Sequence, residues 1–252
     1  GSRIKKFTDW RFPTVEIGPG DGFWTDNLVG SDPLYLIDIH REYLDKTLSK
    51  FLESYSKKLR PYLIGSEAKT SYTDLSCLPN NQIGFIFSWQ VFDYLSFSET
   101  EQYLTNCVAK LRPGGSMIFS FNNCDNYMAA AAAEKGQRSW LNEELLTQIL
   151  NKLKIENFAI YSSEDNYWHW VEFDKPGKKC SIKTHQPQYR VHRRAGFEIV
   201  DTEPERHYNK QQIARLKQIA IKMGIDDEES IMADKYPPRE LEKIINIARM
   251  NK

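Results

Sequence analysis

The chain has 252 residues, 40% hydrophobic and 27% charged, a balance that supports a packed core and excludes a disordered chain. No apolar run reaches the roughly 18 residues of a membrane helix, and no leader-like segment opens the chain, so neither a membrane nor a secretory route is expected. The net charge of zero hides an asymmetry: residues 175–252 carry +6 and residues 1–174 carry −6. Cys77, Cys107, Cys124 and Cys180 stand far apart, without the close pairs that metal sites use, so no metal is expected and a reducing, cytoplasmic compartment fits. Gly1-Ser2 reads as a cloning remnant, which leaves open whether the natural chain extends upstream of Arg3.

Strand and helix signals alternate from the start. Thr14–Ile17 is a short strand running into Gly18-Pro19-Gly20-Asp21-Gly22. Leu34–Ile37 is apolar throughout, as a strand buried on both faces is. Leu44, Leu48, Phe51, Leu52, Tyr55 and Leu59 recur at helical spacing and predict one helix between Arg41 and Arg60. A third strand is expected near Lys69–Thr73 and a fourth over Ile83–Phe87.

Ser98-Glu99-Thr100-Glu101 has the form of a capping box, opening a helix that Arg112-Pro113-Gly114-Gly115 stops. Ser116–Phe121 is the next strand. Asn142 caps a helix through Leu145, Leu146, Ile149, Leu150 and Leu153. Aromatic-rich strands near Asn157–Tyr161 and Trp168–Phe173 follow, too close together to hold a helix between them, so one of them is antiparallel. The alternation predicts a doubly wound, mainly parallel α/β sheet.

Lys175-Pro176-Gly177-Lys178-Lys179 marks a boundary, which divides the chain into 3–174, a basic linker or docking segment over 175–209, and a helical appendage over 210–252. In the appendage, a helix over Gln212–Met223 is followed by Gly224, an acidic loop and a second helix from Pro237-Pro238 to Met250. The two form a hairpin, a candidate surface for a protein partner.

The glycine turn carries the chemistry. It lets a ligand approach the backbone closely, and its glycines fall as G-x-G-x-G, with Phe23 where a dinucleotide fingerprint wants its last glycine. Glu16 ends the preceding strand, a poor neighbour for a pyrophosphate but a suitable one for a cation. Asp38 ends the second strand 22 residues later, where a carboxylate accepts from ribose hydroxyls, although a helix cap is its plainer use. A nucleoside with positive charge and no phosphate describes S-adenosylmethionine.

Here the chain resembles a known family. Val15–Thr25 is similar to the first motif of class I S-adenosylmethionine-dependent methyltransferases, and Leu36-Ile37-Asp38 to the second. Ser71–Leu75, Leu78-Pro79 and Ile83–Leu95 resemble the family's middle block, and Leu111–Gly115 its lead into strand five. The likeness covers Thr14 to Phe173 and is most like the small-molecule and glycan enzymes. It implies that Glu16, Gly18 and Gly20 border the methionine moiety and that Asp38 holds the ribose. It also implies that Thr73, Asp74 and Leu75 flank the adenine and that Ser88 lies beside the methionine amino group. A turn carboxylate at Asp74 and a strand terminus at Ser88 are the simpler alternatives. Gly84 departs from the acidic residue common in the family's fourth strand.

Methyl transfer to a small molecule or glycan through oxygen or nitrogen is thus the expected function, achieved mainly by alignment of the reacting atoms. Residues that touch the acceptor come from the loops after strands four and five: Gln90, Asp93 and Tyr94, then Asn122, Asn123, Asp125 and Tyr127. Tyr94, Asp93 and Tyr127 are the catalytic candidates. His40 is expected at the edge of the cofactor pocket and His169 in a structural position. Phe87-Ser88-Trp89-Gln90 differs from the Pro-Pro motif of amino-methylating nucleic-acid enzymes, and no Pro-Cys pair is present for carbon-five methylation of cytosine.

The segment from Lys178 to Lys210, with Arg190, His192, Arg193 and Arg194 as its basic focus, leaves a nucleic-acid partner open but not favoured over docking on the acidic first part. The alternatives are a methyltransferase recruited by this segment to nucleic acid or protein, and an inactive methyltransferase-like binding protein.

Overall fold

A computed structural model describes residues 2–163, 168–178 and 210–233, together with 241, 244 and 245. The chain divides into two compact units, Gly1–Thr202 and Glu203–Lys252.

The first unit is built on one seven-stranded sheet: β1 (Thr14–Ile17), β2 (Leu34–Asp38), β3 (Leu59–Leu63), β4 (Ile83–Ser88), β5 (Leu111–Phe121), β6 (Phe158–Ser162) and β7 (His169–Asp174), in the order β3-β2-β1-β4-β5-β7-β6. β1 to β5 run parallel. β7 enters antiparallel to both β5 and β6, with Phe119 opposite Val171 and Ile160 opposite Val171 on the other side. The antiparallel strand expected of the last pair is therefore β7.

The helices are α1 (Ser2–Lys5), α2 (Arg41–Leu48), α3 (Glu53–Ser56), α4 (Phe97–Lys110), α5 (Tyr127–Glu134) and α6 (Glu143–Lys152). Alternating side chains feed two cores, one on each face of the sheet. Val15, Ile17, Ile86, Met117 and Phe119 pack with Leu104 and Cys107 of α4 and with Leu146, Ile149 and Leu150 of α6. Leu34, Leu36, Phe85, Phe87 and Ile118 face the other way, onto Leu44, Phe51 and Tyr55.

Several sequence expectations shift here. The helix expected between Arg41 and Arg60 is three elements, α2, α3 and β3, because Phe51, Tyr55 and Leu59 all enter the same core and so mimic one helical stripe. The third strand is consequently β3, paired with β2 from Leu59 opposite Leu34, and not the stretch near Lys69, which is itself left-handed (φ 57°). The capping box of α4 starts two residues early: the Ser96 N–H donates to Glu99 Oε2 (2.7 Å) and the Glu99 N–H to Ser96 Oγ (3.4 Å). Two overlapping Ser-x-x-Glu frames exist, and the earlier one forms the cap.

β5 begins at Leu111, one residue before the expected stop, and takes in Arg112–Gly115. Gly114 takes φ 72°, and a Cβ on Gly115 would stand 2.9 Å from the Ile83 carbonyl oxygen, so the glycines make an irregularity within the strand pairing instead of a loop. Gly84 has a local reason: its Cβ would stand 2.6 Å from Cβ of Phe12, whose ring carries the Arg112 guanidinium at 3.9 Å.

Lys175 is fastened to this unit. Its ammonium donates to Asn81 Oδ1 (2.8 Å) and to the carbonyls of Val108 (2.7 Å) and Leu111 (2.8 Å), and burial pulls its pKa down.

The second unit has α7 (Lys210–Met223) and α8 (Glu228–Met232), the latter inside the expected acidic loop and capped by Asp227, whose Oδ1 accepts from the Ser230 N–H at 2.7 Å. Ala220, Ile231, Leu241 and Ile245 form its core. The Pro237-Pro238 helix start and the basic focus at Arg190–Arg194 lie outside the described residues.

Candidate active site

The strand order reverses between β1 and β4, and the crevice outside the carboxyl ends of β1, β2 and β4 is where such sheets bind ligands. A cavity of about 720 Å³ opens there, in the range of small-molecule sites. Its floor is backbone. Gly18 and Gly20 line it with φ of 69° and 55°, and Gly22 beyond them takes 77°, a region that L side chains rarely adopt; a Cβ on Gly18 would lie 2.4 Å from Val91 Cγ2.

Carboxylates flank that floor. Asp38 lines the cavity and is nearly buried; Oδ1 accepts from the His40 N–H (3.0 Å) and Oδ2 from the Gly20 N–H (3.4 Å). Burial raises its pKa, against the pull of those N–H groups. Asp38 thus tethers the glycine turn and also stays open to a ligand. Glu16 is buried beneath the turn, its Oε2 without a hydrogen-bond partner among the described residues. Burial first, then the charges of Asp26 and Asp38, push its pKa up to about 8 against the nearby Thr25 hydroxyl. The charged side chains lining the cavity are Asp21, Asp38 and Lys46, with His40 beside them, so the site favours a cation over a pyrophosphate.

The other expected cofactor residues stand further back. Ser88 is buried, its hydroxyl donating to the Ile17 carbonyl at 3.1 Å. Thr73 and Leu75 are buried outside the lining, and the Thr73 carbonyl accepts from Asn106 Nδ2 at 2.7 Å. Asp74 Oδ1 accepts from the Ser76 N–H at 2.8 Å, a turn contact. Tyr72, Ile64, Leu95 and Tyr103 line the cavity instead.

On the β4 side the wall is aromatic. Phe23, Trp89 and Tyr94 line it, with Phe23 and Trp89 centroids 6.4 Å apart, and Trp168 lies edge-on to Trp89 at 5.5 Å. Behind this wall lies a hydrogen-bond chain. The Gln90 N–H donates to Ser120 Oγ (2.7 Å), Ser120 Oγ–H donates to Asp93 Oδ2 (2.6 Å), and Arg138 Nη1 donates to Asp93 Oδ1 (2.8 Å). Arg138 also sits 4.9 Å from the Trp168 ring centroid and 5.8 Å from that of Tyr94. Gln90 is thereby held at φ 57°. Asp93 is fully buried; burial raises its pKa, against Ser120 and Arg138.

Of the three catalytic candidates, Tyr94 is the one in the lining, 55% exposed. Asp93 lies behind it, and Tyr127 is 82% exposed at the start of α5, outside the lining. Asn122, Asn123 and Asp125 are taken up by the scaffold: Asn122 Nδ2 bonds the Ala129 and Ser139 carbonyls, Asn123 Nδ2 bonds Glu143, and Asp125 Oδ2 accepts from the Glu143 N–H. His40 lines the cavity, and His169 is buried in β7 against Phe121. Arg138 and Ser120 were not legible as site residues; no spacing ties either to Asp93, 45 and 27 positions away.

No protein-family model and no curated protein matches the sequence. Solved structures do. A candidate methyltransferase complexed with the Haloferax volcanii Trm112 methyltransferase activator superposes with a TM-score of 0.56 at 12% identity, over 69% of this chain and 88% of that one. A candidate O-methyltransferase of Nostoc punctiforme gives 0.53 at 12% identity, over 69% of this chain and 55% of its own. Phosphoethanolamine N-methyltransferase 2 of Haemonchus contortus, in complex with S-adenosyl-L-methionine, gives 0.51 at 13%, over 69% and 51%. The fold is that of class I methyltransferases. This chain spans about half the length of the Nostoc and Haemonchus proteins, and at these identities the likeness is one of fold. Within that class I fold, the glycine turn and Asp38 occupy the switch-point crevice. Among the described residues no helix is long and apolar enough to cross a membrane, and no cluster of His, Cys, Asp and Glu could hold a metal.

Proposed function

We propose that this protein transfers a methyl group from S-adenosylmethionine to a small-molecule acceptor. The observation that carries the reading is the backbone floor of left-handed glycines flanked by Glu16 and Asp38, on the class I fold. These residues fit the cofactor: Asp38 faces the cavity to accept from ribose hydroxyls, Gly18 and Gly20 admit the methionine moiety, and Glu16, whose carboxyl keeps its proton up to about pH 8, borders that moiety from beneath the turn. Thr73, Asp74 and Leu75 support the adenine end behind Tyr72, and Ser88 fixes the end of β4 to Ile17. When bound, the cofactor would supply an electrophilic methyl carbon for the acceptor. The chain's own contribution is alignment and exclusion of water. Tyr94 touches the acceptor, and Asp93 holds the loop that carries it.

Calorimetry tests this directly. S-adenosylhomocysteine binds in the micromolar range, NAD binds more weakly, and Asp38→Ala weakens S-adenosylhomocysteine by about 1–3 kcal/mol through loss of a charge-assisted contact. Absence of binding at millimolar ligand, or tighter binding of NAD, overturns the reading.

A further inference from the structure

The strand order separates the two ends of the cavity. Asp38, at the end of β2, lies on one side of β1; the residues after β4 lie on the other. With the ribose on Asp38, which rests on the reading above, the acceptor meets the β4 side. That side presents rings. Phe23 is 64% exposed and Tyr94 55% exposed, unusual for side chains of this size, and Trp89 completes the surface. Large apolar groups left open together in a concavity mark a ligand surface, with tilted or stacked rings as the favoured partners.

On this side the Gln90 side chain and the Tyr94 hydroxyl are the polar side-chain groups in the lining, few for a hydroxyl-rich ligand. Asp93 and the polar residues after β5 hold each other and the backbone, as described above, and the cavity's charged groups come from the glycine turn, β2 and α2. A sugar bound here would lose many hydrogen bonds to water and regain few, whereas a planar apolar ring loses none. We infer that the acceptor is a planar, uncharged, ring-bearing molecule recognised by Phe23, Trp89 and Tyr94, and not a glycan. Asp93 and Arg138 position that wall without touching the acceptor.

The test titrates 2-naphthol and methyl β-D-glucopyranoside into the full chain by calorimetry, with and without saturating S-adenosylhomocysteine. The naphthol binds the loaded protein at least about tenfold more tightly than the glucoside. Phe23→Ala and Tyr94→Ala each weaken the naphthol by about three- to tenfold and leave S-adenosylhomocysteine affinity within about twofold. Tyr94→Phe retains naphthol affinity, because the ring and not the hydroxyl makes the contact. Glucoside binding as tight as naphthol, naphthol affinity indifferent to both alanine variants, or Tyr94→Phe as damaging as Tyr94→Ala overturns the inference. If S-adenosylhomocysteine does not bind, the cofactor reading fails, and the unloaded titrations with the same variants still decide whether the wall takes rings.

Discussion

The two sides of the cavity are built by different means. The β2 side is made of backbone shape and local carboxylates: the glycine turn, Glu16 just before it, and Asp38 tied to the Gly20 N–H. The β4 side is made of side chains brought together from Phe23, Trp89, Tyr94, Ser120, Arg138 and Trp168, and held by one buried carboxylate. The first can be read in a few consecutive residues. The second exists only after folding, and substitutions should reveal the division.

The largest effect is expected at Asp93. Its removal leaves Arg138 without its anion beside two rings and frees Ser120, so Asp93→Ala costs about 3 kcal/mol or more in urea unfolding, the scale for breaking a buried pair. If the protein is unaffected, the buried chain does not hold the β4 side. Gly18→Ala comes next. A Cβ there meets Val91 and demands a left-handed alanine, which costs about 1–2 kcal/mol before the clash. Calorimetry is expected to show S-adenosylhomocysteine affinity at least about tenfold lower while circular dichroism stays native.

Glu16 offers a comparison by pH. Folded, it keeps its proton up to about pH 8; unfolded, it ionises near the ordinary 4.5. Between those values the folded state holds a proton that the unfolded chain has lost, so stability falls as pH rises through that window and the cost is constant above it. Glu16→Gln lacks this penalty. Urea midpoints of variant and parent, measured at about pH 5 and about pH 8.5, should therefore diverge toward the higher pH. A constant difference would show that Glu16 is ionised in the fold.

The smallest effect is expected outside the described residues. Replacing Arg190, Arg193 and Arg194 together by Ala leaves S-adenosylhomocysteine affinity within about twofold, less than roughly 0.5 kcal/mol. A larger loss would tie that segment to the cavity.

This division also explains what was legible. The turn at Gly18–Gly22 and the end of β2 at Asp38 are local, so their spacing carried the crevice, while the alternation of strands and helices carried the fold class. The boundaries that shifted did so because tertiary packing overrode local pattern: Phe51, Tyr55 and Leu59 share one core from different elements, and Ser96 takes the cap that Ser98 also fits. Arg138 carries no local signal, since its meaning comes from Asp93 and from two rings on other segments. Asp93 is legible by its position after β4, but only burial shows that both its oxygens face inward.

The sheet's last edge constrains the order in which the chain can become itself. Among the described residues β6 has a single neighbour in the sheet, β7, and β7 follows it in the chain. As the polypeptide leaves the ribosome, β1 to β5 can assemble while β6 has nothing to pair with, and β5 keeps a bare flank until residue 174 emerges. The edge then closes late, when β7 pairs with both β5 and β6. A nascent chain halted inside β6 would expose an unpaired strand edge of the kind that invites association with other chains, and would be the natural point for a chaperone to engage.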